Sequence, residues 1–377
     1  MSFRLNAEQV DIKTAAREFC EREVKPIAAQ VDRDRQFPME TIRKMAPLGF
    51  MGMAISQEYG GCGFGTLENT LVIEEVSRCC ASTGATVVVH NAFVCPVIER
   101  CGTEEQKRKF LIPLAQGEKL GAYALTEPDS GSDISSIRTR AQLRDEKFVV
   151  NGSKCFVTNG GKADIYIVFA KGEEGFMALI AERGHEELFF GKPERLLGMR
   201  ATSTSSLYLN DCMIPRENLI GRPGQALEIA KEGLVDLRIG IAAQAVGIAQ
   251  AALETSVGYA GQRVQFGQPI GRFQAIQRML VDMATEIEAA RSLIYRCAAM
   301  RDRGEDSVKE ASMAKLFASE VAVRSTKKAI KVHGGYGYMR DFPLERFARD
   351  ARVTAIYGDP SEIQRNIIAN ILLGYKD

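Results

Sequence analysis

The stretch that decides the fold reads YALTEPDSGSD, residues 123–133. It places a turn rich in hydroxyl and acidic side chains directly after an apolar, strand-like run. Such a turn can present backbone N–H groups to an anionic or electron-rich ligand. An acidic surface loop is the plainer alternative, and the stretch alone does not separate the two. It does mark the point where the spacing of apolar residues along the chain changes.

The periodicity of apolar residues differs on the two sides of this stretch. Residues 7–118 are mostly helical in pattern. Between 121 and 223, short apolar runs alternate with turn residues such as Asn151-Gly152, which is typical of antiparallel β-structure. From 224 onward, apolar residues again recur at spacings of three and four. We therefore predict a mostly α fold with a central antiparallel β domain: an N-terminal helical domain at 1–120, a middle β domain at 121–223 and a C-terminal helical bundle at 224–377.

Composition narrows the functional class. The chain has 377 residues and a formal net charge of +1, so bulk electrostatics favour neither nucleic acid nor a membrane surface. The first residues lack an apolar signal core and no apolar run reaches the length of a membrane span, which predicts a cytoplasmic protein. Nine scattered cysteines without CxxC spacing indicate reduced, mostly buried thiols. With only three histidines, no metal site is expected.

A glycine-rich run at 61–65 has the spacing GxGxG. A dinucleotide-binding fingerprint requires a strand before the glycines and a βαβ unit around them. The sequence predicts neither, so we interpret the run as an ordinary turn.

Three further runs complete a pattern with the 123–133 stretch. They read NGSKCFVTNGG at 151–161, RVQFGQPIG at 263–271 and IYGDPSEIQR at 356–365. In this order the four segments resemble the signatures of acyl-CoA dehydrogenases, and the resemblance covers essentially the whole chain. It implies the acyl-CoA dehydrogenase fold (helical, β, helical), FAD as cofactor and dehydrogenation of an acyl-CoA thioester.

The resemblance also implies roles for single residues. Leu125 and Thr126 would face the pyrimidine edge of the flavin, and Phe156 would pack on the ring. The Thr158 hydroxyl would bond to flavin N5, where a donor stabilises charge as the ring is reduced. The implied cofactor contacts are Tyr123, Leu125, Thr126, Ser132, Phe156, Thr158, Arg263, Phe266, Gln274, Val332, Gly334, Gly335, Asp359, Ser361 and Glu362. The implied substrate contacts are Ser132, Asp236, Arg238, Tyr357 and Gly358.

Taken singly, these residues have plainer explanations, such as core packing for Phe156 or a solvated charge for Arg263. In the family, the segment around Arg263 and the backbone at 332–335 reach the FAD of a neighbouring subunit. A homotetramer, as a dimer of dimers, is therefore implied. Electron-transfer flavoprotein or a similar carrier is the implied electron acceptor.

The catalytic base of the family is missing. In common members, Tyr-Glu-Gly-Thr-Ser stands where this chain has 357–361, and the Glu takes the α-proton of the thioester. Its place falls on Gly358, which has no side chain. A few members carry the base at the position of Leu237, which cannot accept a proton. Asp236 is next to Leu237, but one residue along a helix turns the side chain by about 100°. Asp359 is next to Gly358, but the resemblance places it where the family has Gly, facing the cofactor. Both therefore remain minor candidates.

A small branch of the family that also lacks this Glu resembles the chain more closely. It comprises the cyclohex-1-ene-1-carboxyl-CoA dehydrogenases of anaerobic aromatic metabolism, in which an Asp in the segment matching 87–93 is the base. We place that position on Asn91, either a natural Asn or an Asp→Asn change. Asn cannot accept the proton. His90 is the nearest titratable group, although a packed, hydrogen-bonded helix residue is the preferred interpretation of it.

The expected reaction is FAD-dependent 1,4-dehydrogenation of cyclohex-1-ene-1-carboxyl-CoA to the conjugated 1,5-diene and on to benzoyl-CoA. The predicted catalytic positions are Asn91, Thr158 and Gly358. Two alternatives remain open. One is an acyl-CoA dehydrogenase for saturated linear or branched chains with a relocated base, and the other is a non-catalytic flavoprotein that binds acyl-CoA.

Overall fold

The computed structural model describes residues 4–375. The N-terminal region is helical, with α1 (Ala7–Phe19), α2 (Ala28–Asp34), α3 (Met39–Met45), α4 (Thr66–Cys79), α5 (Ala81–Val89), α6 (Cys95–Cys101), α7 (Glu104–Gln106) and α8 (Ile112–Ala115). A π-helical turn, His90–Val94, joins α5 to α6. The glycine-rich run at 61–65 follows a short 3₁₀ turn, Gln57–Tyr59, and precedes α4. Because no strand stands before it, the interpretation of this run as a turn is confirmed.

The middle region is a sheet of eight strands. They are β1 (Gly121–Ala124), β2 (Arg140–Arg144), β3 (Lys147–Val157), β4 (Ile165–Gly172), β5 (Gly175–Glu182), β6 (Leu188–Phe190), β7 (Ser205–Pro215) and β8 (Leu219–Ile220). The order is β6-β7-β3-β2-β4-β5-β8, and β1 also pairs with β4. The predicted β domain is confirmed, but the sheet is mixed because β1 and β2 pair with β4 in parallel. β4 is buried over its first six residues, which explains its continuous apolar sequence.

The C-terminal region is a helical bundle of α9 (Ala226–Gln262), α10 (Gln274–Asp302), α11 (Val308–His333), α12 (Leu344–Thr354) and α13 (Ser361–Leu373). A small hairpin, β9 (Val264–Gln265) and β10 (Gln268–Pro269), separates α9 from α10. α9 is the central helix and packs on α4 and α5 as well as on α10 and α11. Gly247 allows the approach to α4, because a Cβ there would overlap the Glu74 carbonyl oxygen.

Two helical stretches, Ala81–Cys101 and Ala226–Gln262, are long and apolar enough to cross a membrane by composition alone. Their most apolar windows are 100% and 94% buried inside the protein, as expected for core helices. All nine cysteines are free, and six of them are buried, so the prediction of reduced and mostly buried thiols is confirmed.

Candidate flavin and acyl-thioester site

The loop after β1 is tied to the end of β3. The backbone N–H of Cys155 donates to the Thr126 carbonyl at 2.9 Å. The buried Lys154 ammonium donates to the Leu125 carbonyl at 3.1 Å and to Glu127 Oε1 at 2.7 Å. Because all three bonds join the two segments, the predicted ligand loop and the strand carrying Phe156 form one rigid edge.

This edge presents a flat apolar surface beside free hydroxyls. The Phe156 side chain is 64% exposed, and its backbone has φ 55°, which is unusual for a non-glycine residue. Thr126 and Thr158 are half-buried, and neither hydroxyl bonds to another residue within 4–375. An exposed ring held in a strained backbone next to unused donors indicates a ligand surface. The arrangement fits a planar ring with polar edges.

The loop at 357–359, between α12 and α13, holds the position of the missing base. Gly358 has φ 59°, and a Cβ on it would overlap Ile241 Cδ1 of α9. Leu237 Cδ2 would lie 3.6 Å from the same Cβ. A side chain at position 358 would therefore begin against the tip of Ile241, which would have to move, and in ordinary contact with Leu237.

Asp359 follows in the left-handed region, with φ 69°. Its Oδ2 accepts a hydrogen bond from Arg238 Nη2 at 2.7 Å, and both side chains are largely buried. Its carbonyl oxygen accepts from Lys315 Nζ at 2.5 Å and from Gln364 Nε2 at 3.4 Å. Three side chains from three helices thus hold this one residue in place.

Aromatic rings connect this loop to β1. Tyr123 stacks on Phe93 with centroids 4.0 Å apart. Burial raises the pKa of Tyr123, and the nearby Asp359 charge raises it further. Burial also raises the pKa of Tyr357, with Tyr123 as the next cause, and the Tyr357 hydroxyl donates to Gln244. Tyr123, Tyr357 and Asp359 therefore belong to one cluster, where the sheet meets the bundle.

Lys315 gives a pH-dependent test of this cluster. Burial lowers the pKa of its ammonium from 10.5 to about 7. Between these values the unfolded chain binds a proton that the folded chain does not, so this group makes the free energy of unfolding rise with pH. In Lys315→Met this contribution is absent. We expect wild type to gain about 1 kcal/mol or more relative to the variant between pH 7 and 9, measured by urea denaturation. A constant difference would contradict the burial of a titrating Lys315.

His90 is not a proton acceptor for a ligand. Its Nδ1 accepts the Gly121 N–H at 2.9 Å and its Nε2 lies 3.1 Å from the Leu114 carbonyl. Both ring nitrogens are therefore used inside the fold. Burial lowers the pKa of His90 to about 4, so the ring is neutral. The preferred interpretation of His90 as a packed helix residue is confirmed.

Asn91 lies on the side of the π-helical turn that faces the N-terminal helices. Its Nδ2 donates to the Phe50 carbonyl at 2.7 Å and to Asn69 Oδ1 at 2.9 Å. It borders a polar cavity of about 350 Å³ that is also lined by Asp236 and Gly240. Gly240 lies on the face of α9 that borders this cavity. Gly358 instead packs on Ile241 and Leu237, which lie on another face of the same helix. Asn91 as the base position stays a prediction, and its surroundings weigh against it.

The substrate contact expected for Asp236 stays a prediction, and the bonding of this residue weighs against it. Its carboxylate is buried and pairs with Arg100 at 2.5 Å and Arg301 at 2.7 Å. It is fully engaged in joining α6, α9 and α10. The helical rotation that separates it from Arg238 points it at the N-terminal helices rather than at the loop with Gly358.

The remaining predicted cofactor contacts lie in other places. A second group sits at the far ends of α9 and α11, where Phe266 is 93% exposed and Arg263 lies 5.6 Å over the Tyr336 ring. Gln274 begins α10 there, and Gly334 and Gly335 are exposed just after Val332. Among residues 4–375 of one chain, no hydrogen bond or ion pair joins this group to Phe156 or Thr158. Ser132 is exposed, Leu125 and Ser361 are buried, and Glu362 is exposed.

Sequence reasoning missed four residues of the site. They are Ile241, Gln244, Lys315 and Gln364. Ile241 gave no signal in the sequence, because it is one of many apolar residues of α9 and looks like any other core residue. Lys315 offered a signal, since it is a lysine between buried alanines of α11 and is itself fully buried. A lysine on the buried stripe of a helix requires a polar partner.

The region where the loop after β1, the end of β3 and the 357–359 loop come together is called the cleft. Fold and site together agree with one class, the flavin-dependent oxidoreductases of acyl thioesters. Three family descriptions match the chain: "Acyl-CoA dehydrogenase, N-terminal domain" at 6–118, "middle domain" at 122–212 and "C-terminal domain" at 224–373. The chain belongs to the acyl-CoA dehydrogenase family. It is an FAD-dependent oxidoreductase that acts on CH–CH bonds of acyl-CoA thioesters.

Relatives and solved structures agree with this. The short-chain specific acyl-CoA dehydrogenase of Clostridium acetobutylicum is 45% identical over 98% of this chain and 99% of its own. Butyryl-CoA dehydrogenase from Megasphaera elsdenii superposes with a TM-score of 0.97 at 40% identity, covering 99% and 100%. A chain solved in a study of the electron transferring flavoprotein of Acidaminococcus fermentans gives 0.98 at 42% identity, covering 99% and 100%. None of these names a cyclohexene substrate, so that part of the expectation remains a proposal.

The residues present fit FAD. The exposed Phe156 ring offers a stacking face, and the unused hydroxyls of Thr126 and Thr158 lie beside it. Gly334 and Gly335 are exposed and have no atom within 4 Å of where a Cβ would stand, so there is room for a ligand to approach the backbone closely there. Bound FAD supplies the hydride acceptor for the reaction.

Proposed function

We propose that this enzyme dehydrogenates a cyclic enoyl-CoA, cyclohex-1-ene-1-carboxyl-CoA, to the 1,5-diene and on to benzoyl-CoA. The observation that carries the proposal is Gly358. A saturated thioester needs a carboxylate beside its α-carbon as hydride leaves the β-carbon. At that position the chain has no side chain, and Ile241 and Leu237 lie against it. An enoyl thioester has its acidic proton at the γ-carbon instead, because the anion delocalises through the double bond into the carbonyl.

The chain's own residues would bind, orient and shield this substrate. Phe156 would pack on the flavin ring, and the Thr158 hydroxyl would bond to flavin N5, near the carbon that gives up the hydride. The half-buried rings of Tyr123 and Tyr357, with the fully buried Phe93 stacked behind Tyr123, would form a wall that suits a six-membered ring. Exclusion of water strengthens the electrostatic interactions within the cleft.

A second candidate is a dehydrogenase of short, saturated acyl-CoA with a relocated base. It is favoured by the names of two relatives, a short-chain specific acyl-CoA dehydrogenase and a butyryl-CoA dehydrogenase, which are 45% and 40% identical to this chain. A non-catalytic acyl-CoA-binding flavoprotein is the third possibility, and it would explain the absent Glu without a new base.

An anaerobic titration separates the three. We expect cyclohex-1-ene-1-carboxyl-CoA to bleach the oxidised-flavin absorbance of the holoenzyme at least about tenfold faster than butyryl-CoA or cyclohexanecarboxyl-CoA. The reason is that its acidic proton is on the γ-carbon, whereas the two saturated thioesters need a base at position 358 for their α-proton. Fastest bleaching by butyryl-CoA would overturn the cyclic proposal in favour of the second candidate. A spectral shift without bleaching by any thioester would support the binding protein.

We also propose an assembly and a partner. The far-end group around Arg263 and Phe266 is too exposed to be complete in one chain, so a second subunit would bring it to FAD, in a dimer or a tetramer of two dimers. Electron-transfer flavoprotein is the proposed acceptor, supported by the structural neighbour from the Acidaminococcus study. The same proposal includes domain boundaries at 120 and 223. It also includes a cytoplasmic location.

A further inference from the structure

The loop at 357–359 has not simply lost a carboxylate. Where the family has Glu-Gly, this chain has Gly358-Asp359, so the carboxylate stands one residue further along. Asp359 adopts φ 69°, a conformation that glycine takes freely and other residues take at a cost. A strained non-glycine residue kept in this loop needs an explanation beyond packing.

The surrounding residues hold this conformation rather than relieve it. Lys315 and Gln364 both donate to the Asp359 carbonyl, and Gln364 also donates to the Gly358 carbonyl at 3.3 Å. Lys315 is fully buried, so its ammonium would be costly to place there without this bond. We assign Lys315 and Gln364 as positioning residues for Asp359.

One carboxylate oxygen of Asp359 is engaged and the other is available. Oδ2 accepts from Arg238 at 2.7 Å. No residue among those that the structure describes donates to Oδ1, and the side chain is 16% exposed. The carboxylate also lies close enough to Tyr123 for its charge to act on that ring. The hydrogen bond from Arg238 fixes the direction of this carboxylate, and its second oxygen is left without a donor among residues 4–375.

The other candidate proton acceptors, His90 and Asp236, and the carboxylate of Glu127 already have partners inside the fold. Both nitrogens of His90 are bonded inside the fold, and Asp236 pairs with two arginines. Glu127 accepts from Lys154 at 2.7 Å and from the Thr139 hydroxyl at 2.6 Å. Asp359 is the one carboxylate of the 357–359 loop, and it has an oxygen to spare.

We propose that Asp359 accepts the substrate proton. The C–H bond at the acidified carbon breaks, its electron pair forms the new C=C bond, and the proton goes to Asp359 Oδ1. The hydride from the second carbon goes to bound FAD, the two-electron oxidant of the family. A carboxylate paired with Arg238 is a modest base, which suits the acidified proton of an enoyl thioester, so for its substrate this inference rests on the proposed function.

The test separates proton transfer from oxidation. Holoenzyme is incubated anaerobically in D₂O with the thioester that bleaches wild type fastest, and deuterium uptake into recovered thioester is followed by mass spectrometry. We expect Asp359→Asn, compared with wild type at equal bound FAD, to slow both uptake and flavin bleaching by about 100-fold or more. Glu146→Gln, which alters an exposed carboxylate paired with Arg216 at the turn between β2 and β3, should behave as wild type.

A second variant distinguishes the loss of the carboxylate from a loss of folding. Asp359→Gly suits the left-handed backbone but leaves the buried Arg238 without its partner, so its folding is checked by urea denaturation and its FAD content is measured before rates are compared. We expect it to be as slow as Asp359→Asn and to recover at least about tenfold when formate supplies a carboxylate, while Asp359→Glu keeps partial activity. Uptake within threefold of wild type in Asp359→Gly without formate would overturn the inference. If wild type instead prefers a saturated thioester, the cyclic substrate is wrong, and the same variants still decide the role of Asp359. If no thioester bleaches or exchanges, both proposals fail.

Discussion

Replacing Gly358 by Glu alone is expected to give no activity on saturated cyclohexanecarboxyl-CoA. The new side chain would meet Ile241 Cδ1, and the residue would have to keep φ 59°. Overpacking and backbone strain of this kind cost about 1–3 kcal/mol each. The single variant should therefore lose stability in urea denaturation, and its carboxylate should not reach the cleft.

The double variant Gly358→Glu with Ile241→Ala makes room for the carboxylate. We expect it to dehydrogenate cyclohexanecarboxyl-CoA at least about 100-fold faster than wild type, the usual contribution of a positioned base, measured with an artificial electron acceptor. Gly358→Gln with Ile241→Ala is the matched control, because it has the same shape and no base. Equal rates for the Glu and Gln variants would show that position 358 is not where the proton is taken.

Replacing Asn91 by Asp should destabilise the protein without raising its rate. Asn91 Nδ2 donates to two acceptors, the Phe50 carbonyl and Asn69 Oδ1. A carboxylate would face the Phe50 carbonyl with no hydrogen to give, so it would have to stay protonated or leave a buried acceptor unpaired. That costs about 2 kcal/mol, to be measured by urea denaturation.

The rate is measured by flavin bleaching with cyclohex-1-ene-1-carboxyl-CoA. The expectation from sequence, in which Asn91 takes the place of an Asp base, is the opposite: a gain in rate. Asn91→Ala serves as the control, since it removes the amide without adding an acid. A gain in Asn91→Asp that is absent in Asn91→Ala would restore Asn91 as the base position and count against Asp359.

The fold was predictable because its evidence is local. Helical and strand periodicity changed at 121 and again near 224, and the structure has the same helical, β, helical order. The parallel pairing of β1 with β4 was not predicted, since Gly121 and Ile165 are distant in sequence and nothing local sets their register. His90 was interpreted correctly as a packed residue, because a buried helix face explains a lone histidine without catalysis.

The sequence by itself determined which groups exist: a turn with hydroxyls after β1, an aromatic residue at 156, and no carboxylate at 358. Only the tertiary structure decided what those groups face. It places Ile241 against Gly358, joins Arg238 to Asp359 across 121 residues of chain, and turns Asp236 toward arginines of α6 and α10. The physical reason is that periodicity records which face of an element is apolar, whereas the partner of a polar side chain depends on how distant elements pack together.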